Sequence, residues 1–98
     1  MNRERYRYLI RAEVPFEEVE ASLELALLAA ESIHGESQVR LDAAHATDAT
    51  ARCVVLDAST PVGRDLARLF TGFLRRGFGE DSFRVERGAA EPVPAACA

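Results

Sequence analysis

Cysteine is scarce in this chain and poorly spaced for structural use. Cys53 and Cys97 are the whole supply. No Cys-x-x-Cys occurs and the two histidines do not pair at ligand spacing, so neither a zinc site nor a disulfide framework is expected. Reduced thiols inside a cell are the simplest inference. Long apolar runs are missing too. The chain opens Met-Asn-Arg-Glu-Arg-Tyr-Arg-Tyr, charged straight into an expected strand. No apolar signal region is expected from such a start, no window reaches the length of a membrane span, and a cytoplasmic protein is expected. Positive charge is not in excess: 12 basic against 16 acidic side chains give a net charge of −4. This argues against a general attraction to phosphate backbones and leaves room only for a local basic patch. No Gly-rich loop of phosphate-binding spacing is present, and no metal or cofactor is expected.

What the chain does have is one long periodic stretch, Pro15 to Gly35. At 100° per residue, Phe16, Val19, Leu23, Ala26, Leu27, Ala30 and Ile33 fall in one band, the expected core face of a helix. Pro15 suits the first helical position, Glu17 and Glu18 complement the positive end of the dipole, and His34 with Gly35 closes the segment. Leu25, Leu28, Ala21 and Ala29 gather almost opposite, set off by Glu17, Glu20, Glu24 and Glu31. A helix lying on one sheet buries one side, so this second stripe is a candidate contact for another chain.

The rest of the chain supplies a sheet and a second helix. Tyr6 to Glu13 alternates, with Tyr6, Tyr8, Ile10 and Ala12 on one face and Arg5, Arg7, Leu9 and Arg11 on the other. Gln38 to Ala44 alternates again and reads as a second strand, followed by a hairpin connection over His45 to Thr50. Ala51 to Ala58 is a third strand, apolar on both faces at its centre and so expected in mid-sheet. Ser59-Thr60-Pro61 starts a helix carrying Val62, Leu66, Leu69, Phe70 and Phe73 at helical spacing and ending at Arg75-Arg76-Gly77. Gly79-Glu80-Asp81 makes a turn, and Phe83 to Arg87 a fourth strand. A tail with two prolines runs over 88–98.

These pieces predict one α+β domain over 1–87 in the order β-α-β-β-α-β. That is the ferredoxin-like split β-α-β arrangement: a four-stranded antiparallel sheet, first and third strands central, with both helices on one face. The opposite face is then bare. It presents Arg7, Leu9 and Arg11 on the first strand, Arg40, Asp42 and Ala44 on the second, Cys53, Val55 and Asp57 on the third, and Arg84 with Glu86 on the fourth. An apolar centre ringed by both signs of charge suits a self-complementary partner. An RNA-recognition module of this topology stacks bases on outward aromatics of its central strands. Here the tyrosines face the helices, so nucleic acid is not an expected partner.

Chemistry-bearing constellations are sparse. Ser59, Thr60 and Arg64 surround a helix start and form a candidate anion site, with capping as the competing explanation. His45 near Asp48 resembles a base with its orienting carboxylate, yet no nucleophile is placed beside it. No complete catalytic set is present. The expected function is therefore a non-catalytic protein–protein interaction or assembly module, either a homodimer or an accessory subunit of a larger complex. Its interface residues would be Leu25, Leu28, Ala21, Ala29, Leu9, Val55, Arg7 and Arg11. On the second helix Arg64, Arg68 and Arg75 make a basic stripe opposite in sign to the first helix, which would steer and register such a contact. The alternative is a small-molecule-binding protein or small dimeric enzyme of the same fold, with its pocket near His45 or Arg64.

Overall fold

Alternation along the first strand sets the two sides of the sheet. In the computed structural model, which describes residues 4–89, β1 (Glu4–Ile10) lies between β3 (Cys53–Asp57) and β4 (Phe83–Ala89). β2 (His45–Asp48) sits outside β3, giving the order β2-β3-β1-β4 with every pairing antiparallel. Tyr8 stands opposite Val54 on one side and Val85 on the other, so these three share a face. Leu9 is opposite Cys53 and Arg7 opposite Val55, so these four share the other.

Three helices complete the domain: α1 (Phe16–His34), α2 (Glu36–Asp42) and α3 (Pro61–Phe78), with a 3-10 turn at Glu80–Ser82. Tyr8, Ile10, Val54 and Leu56 of the sheet pack with Phe16, Val19, Leu23 and Ala26 of α1 and Leu66, Ala67, Phe70 and Leu74 of α3. Each large side chain sealed in this layer stabilises the fold by roughly 1.5–3 kcal/mol. Tyr8 is the hub. Its ring meets Phe70 edge-on, centroids 4.8 Å apart at 72°. Its hydroxyl reaches Thr71 Oγ1 at 2.7 Å and donates to the Ala67 carbonyl at 3.2 Å.

α1 closes where Gly35 donates its N–H to Glu31 O at 2.8 Å. The chain then turns at once into α2, which was not expected. Gln38 to Ala44 is not a strand, and Arg40, Asp42 and Ala44 therefore do not join the sheet face assigned to them. The apolar residues that produced the alternation fare differently: Val39 is buried against Ala30 and Val62, Ala43 is partly buried, and Leu41 is 79% exposed. The second strand comes later, inside the span read as a loop. The element order β1-α1-α2-β2-β3-α3-β4 consequently carries one helix more than β-α-β-β-α-β.

Smaller corrections follow from packing. Ile33, at the margin of the core band, is 61% exposed. α3 runs past Gly77 to Phe78, with Gly79 as its C-cap. Arg11 lies beyond the end of β1, not on the sheet. β4 takes in Gly88 and Ala89 from the expected tail, whose remainder, 90–98, lies outside the described residues.

The β2–β3 connection is fastened by two side chains. Asp48 Oδ1 accepts the N–H groups of Thr50 at 3.0 Å and Ala51 at 3.1 Å. Arg52 holds a left-handed backbone, φ 56°. Its Nη2 donates to the carbonyls of Arg11 and Val14, and its guanidinium lies 5.8 Å from the Phe16 ring centroid. Arg52→Ala is expected to cost about 2 kcal/mol through the lost charged hydrogen bonds. Arg52→Gly loses the same bonds yet relieves the left-handed backbone, worth about 1 kcal/mol. Urea midpoints should therefore rank wild type above Arg52→Gly above Arg52→Ala; equal midpoints for the two variants would refute the backbone term.

Candidate interaction surfaces

The outer side of α1 is apolar where the core needs nothing more. Leu25 is 57% and Leu28 59% exposed, whereas the exposed Ile33 belongs to the edge of the core band and not to this stripe. Ala21 is exposed and Ala29 half-buried, so small side chains lie between the leucines and leave room for close approach. Glu17, Glu20 and Glu24 are exposed and Glu31 half-buried; at helical spacing they run along one flank of this strip. α3 turns the opposite charge outward, with Arg64, Arg68 and Arg75 all exposed. Some of that charge is held locally: Arg68 pairs with Asp65 at 3.2 Å, and Arg75 with Glu80.

The outer sheet face is differently built. Arg7 sends Nε and Nη2 to Glu86 Oε1 at 3.1 and 2.5 Å across β1 and β4. That hydrogen bond holds the Glu86 carboxyl below the usual carboxylate range, against desolvation. Arg84 adds a contact to Glu86 Oε2 at 3.3 Å. At the centre, Cys53 is completely buried and Val55 only 7% exposed, with Leu9 packed beside them. Cys53 is disulfide-bonded, which corrects the expectation of reduced thiols.

Compared with family models, curated proteins and solved structures, the chain matches none. Its surfaces are therefore weighed on geometry alone.

The start of α3 is occupied by its own chain. Thr60 Oγ1 accepts the Gly63 N–H at 3.0 Å and donates to Asp42 O at 3.2 Å. Asp57 Oδ1 accepts the Ser59 N–H at 2.8 Å, and Arg64 Nη1 reaches only the Ala58 carbonyl at 3.5 Å. Ser59, Thr60 and Arg64 are thus brought together, as a cap. His45 and Asp48 are separated: strand register puts His45 on the side of Leu56 and Asp48 on the side of Cys53, where it fastens the turn. No acid–base pair forms between them.

Two open clefts lined by described residues lie at the far end of the sheet. One is bordered by Leu9, Arg11, Asp81, Phe83 and Arg84, the other by Glu13, Val14, Phe78 and Ser82. Neither includes His45 or Arg64. No group of His, Cys, Asp and Glu among the described residues could hold a metal ion, and no described helix is long and apolar enough to cross a membrane.

One pairing was missed in the sequence. His34 Nε2 meets Asp65 Oδ2 at 2.8 Å, tying the end of α1 to α3. Residues 31 apart carry no periodic signal for such a contact.

Proposed function

We propose that the chain is a ferredoxin-like domain with one helix inserted after α1, and that it works as a non-catalytic self-association module. A central position for β1 and β3 in the order β2-β3-β1-β4 supports the fold reading, with α2 as the insertion. The observation that carries the function is the exposure of Leu25 and Leu28, at 57% and 59%, on the longest helix. The occupant is a second copy. A two-fold axis between the helix layers sets the acidic, leucine-bearing side of α1 against the arginine stripe of α3 in the other copy, twice over. Such an isologous contact closes on itself and stops at two chains. Opposite charges speed and register the encounter, while the leucines supply the burial.

A cytoplasmic setting, expected from the sequence, is opposed by the bonded Cys53, because disulfides persist mainly in oxidising compartments.

Light scattering across a concentration series tests the assembly. Wild type is expected to approach twice the mass of one chain, and Leu25→Glu with Leu28→Glu to remain at one. Arg64→Glu with Arg68→Glu should slow association and raise the dissociation constant about tenfold, an effect that fades as salt screens the charges. A wild-type mass of one chain at every concentration, or a double-leucine variant that still dimerises, refutes the reading.

A further inference from the structure

We infer that the cleft at the far end of the sheet binds a small zwitterion with an apolar body, the class that holds short peptides and free apolar amino acids. It lies where β1 runs out, between the 3-10 turn and the first residues of β4, and has a volume of about 440 Å³. Small-molecule sites span about 300–1,000 Å³. Leu9, Ile10 and Phe83 give it apolar walls. Its charged lining is balanced, with Arg11 and Arg84 against Glu80 and Asp81. Such a lining disfavours a net anion such as phosphate, and equally a bare cation. It matches a molecule that carries one charge of each sign.

Two of these four charges are available. Arg84 pairs with Glu86, and Glu80 with Arg75. The side chains of Arg11 and Asp81 enter no hydrogen bond or ion pair with any described residue, nor with each other. Both also border the adjoining cleft, of about 360 Å³, so they stand where the two openings meet. Glu13 adds a carboxylate on that second side. The ligand's ammonium therefore belongs there, with Asp81, and its carboxylate on the side of Arg11 and Arg84.

The frame that carries the two side chains is fixed. Arg11 donates its N–H to Ser82 O at 2.9 Å, and its carbonyl accepts from Arg52 Nη2 at 2.7 Å and from the Val14 N–H at 3.1 Å. Ser82 gives its N–H and hydroxyl to Gly79 O at 3.2 and 2.6 Å, which holds the turn containing Asp81. A site shaped before its ligand arrives pays less ordering entropy on binding. Leu9 and Phe83 supply the burial. Ion pairs at exposed ends are individually weak, so they select the ligand more than they tighten it. The site is separate from self-association, which uses Leu25, Leu28, Arg64 and Arg68 and none of these residues.

Titration of the isotope-labelled full chain with the dipeptide phenylalanyl-leucine, followed by backbone amide chemical shifts, tests the site. Saturable shifts are expected at Leu9, Ile10 and Arg11 and at Asp81 to Arg84, with millimolar affinity. Converting the peptide's carboxylate to an amide, or acetylating its ammonium, should each weaken binding about threefold. Arg11→Gln should bind the acid and the amide alike, and Asp81→Asn the free and the acetylated peptide alike. Neither side chain is paired in the fold, so both variants should melt with the wild type. L-phenylalanine separates the two sources: shifts as strong as the dipeptide's identify a free amino acid, and weaker ones a peptide. No saturable shift with either probe, or end-group preferences that survive in Arg11→Gln and Asp81→Asn, overturns the inference.

Discussion

Gly63→Ala is expected to lower the melting temperature by roughly 10–20 °C, although helix propensity alone favours alanine there by about 1 kcal/mol. Gly63 lies in the first turn of α3, where the helix start is pressed against the end of β3. A Cβ at this position would stand 2.0 Å from the Asp57 carbonyl oxygen, 3.1 Å from its carbon and 3.2 Å from Thr60 Oγ1. Two of those atoms are backbone, so no side-chain rotation relieves the overlap. The helix start must move, and with it goes the Thr60 cap on the Gly63 N–H, worth about 1 kcal/mol. Overpacking adds about 1–3 kcal/mol. Against a typical stability of about 5–15 kcal/mol, the sum is a large fraction. Gly72 in the same helix is the control, since nothing lies within 4 Å of its added Cβ. Gly72→Ala should stabilise by about 0.5–1 kcal/mol. Calorimetry on the two variants checks both signs, and a Gly63→Ala protein melting with the wild type would refute the close approach.

Alkali should unfold the protein through Tyr8. Burial pushes its hydroxyl up from 10.0 to about 12, opposed by the hydrogen bond with Thr71 and aided slightly by Tyr6. Below pH 10 the folded and unfolded chains both keep this proton, and the stability is intact. Between pH 10 and 12 the unfolded chain releases it while the folded chain does not, so stability falls as pH rises. About two pH units at 1.36 kcal/mol each amount to roughly 3 kcal/mol, complete by about pH 12. Tyr8→Phe keeps the ring against Phe70 and loses the hydrogen bonds, costing about 1 kcal/mol at neutral pH. Its stability should then decline less between pH 10 and 12. Urea titrations followed by circular dichroism over that range measure the difference, and parallel curves for the two proteins would exclude Tyr8 as the cause.

Both predictions turn on elements that were legible at different levels. The inner face of β1 and the phase of β3 could be read directly, because strict alternation leaves one assignment that keeps arginines out of the core. The core band of α1 was equally plain, apart from Ile33 at its margin. α2 was misread because Val39, Leu41 and Ala43 mimic a strand over a short span. A competing signal was present. Glu36 with Arg40, and Gln38 with Asp42, are spaced i,i+4, and both pairs are hydrogen-bonded, at 3.2 and 2.6 Å. β2 was overlooked because a four-residue strand at the sheet edge needs little apolar content. Of the candidate surfaces, Leu25 and Leu28 could be placed outward from helical spacing alone. The cap at Thr60 was also readable. The bonding of Cys53 was not: the sequence pointed to reduced thiols, because cysteine spacing says nothing about which groups folding brings together.

The borders of the sheet limit how copies of this protein can meet. β2 offers a neighbouring strand only four residues of backbone before the Asp48 turn. β4 is longer, but its rim carries Arg84, Glu86 and Arg87, with Arg87 clasped to Glu4. Charged, short margins of this kind resist growth by strand addition. Copies meeting edge to edge would find no template for fibril-like stacking, so concentrated solutions should stay clear and any assembly should stop at a small, fixed number of chains.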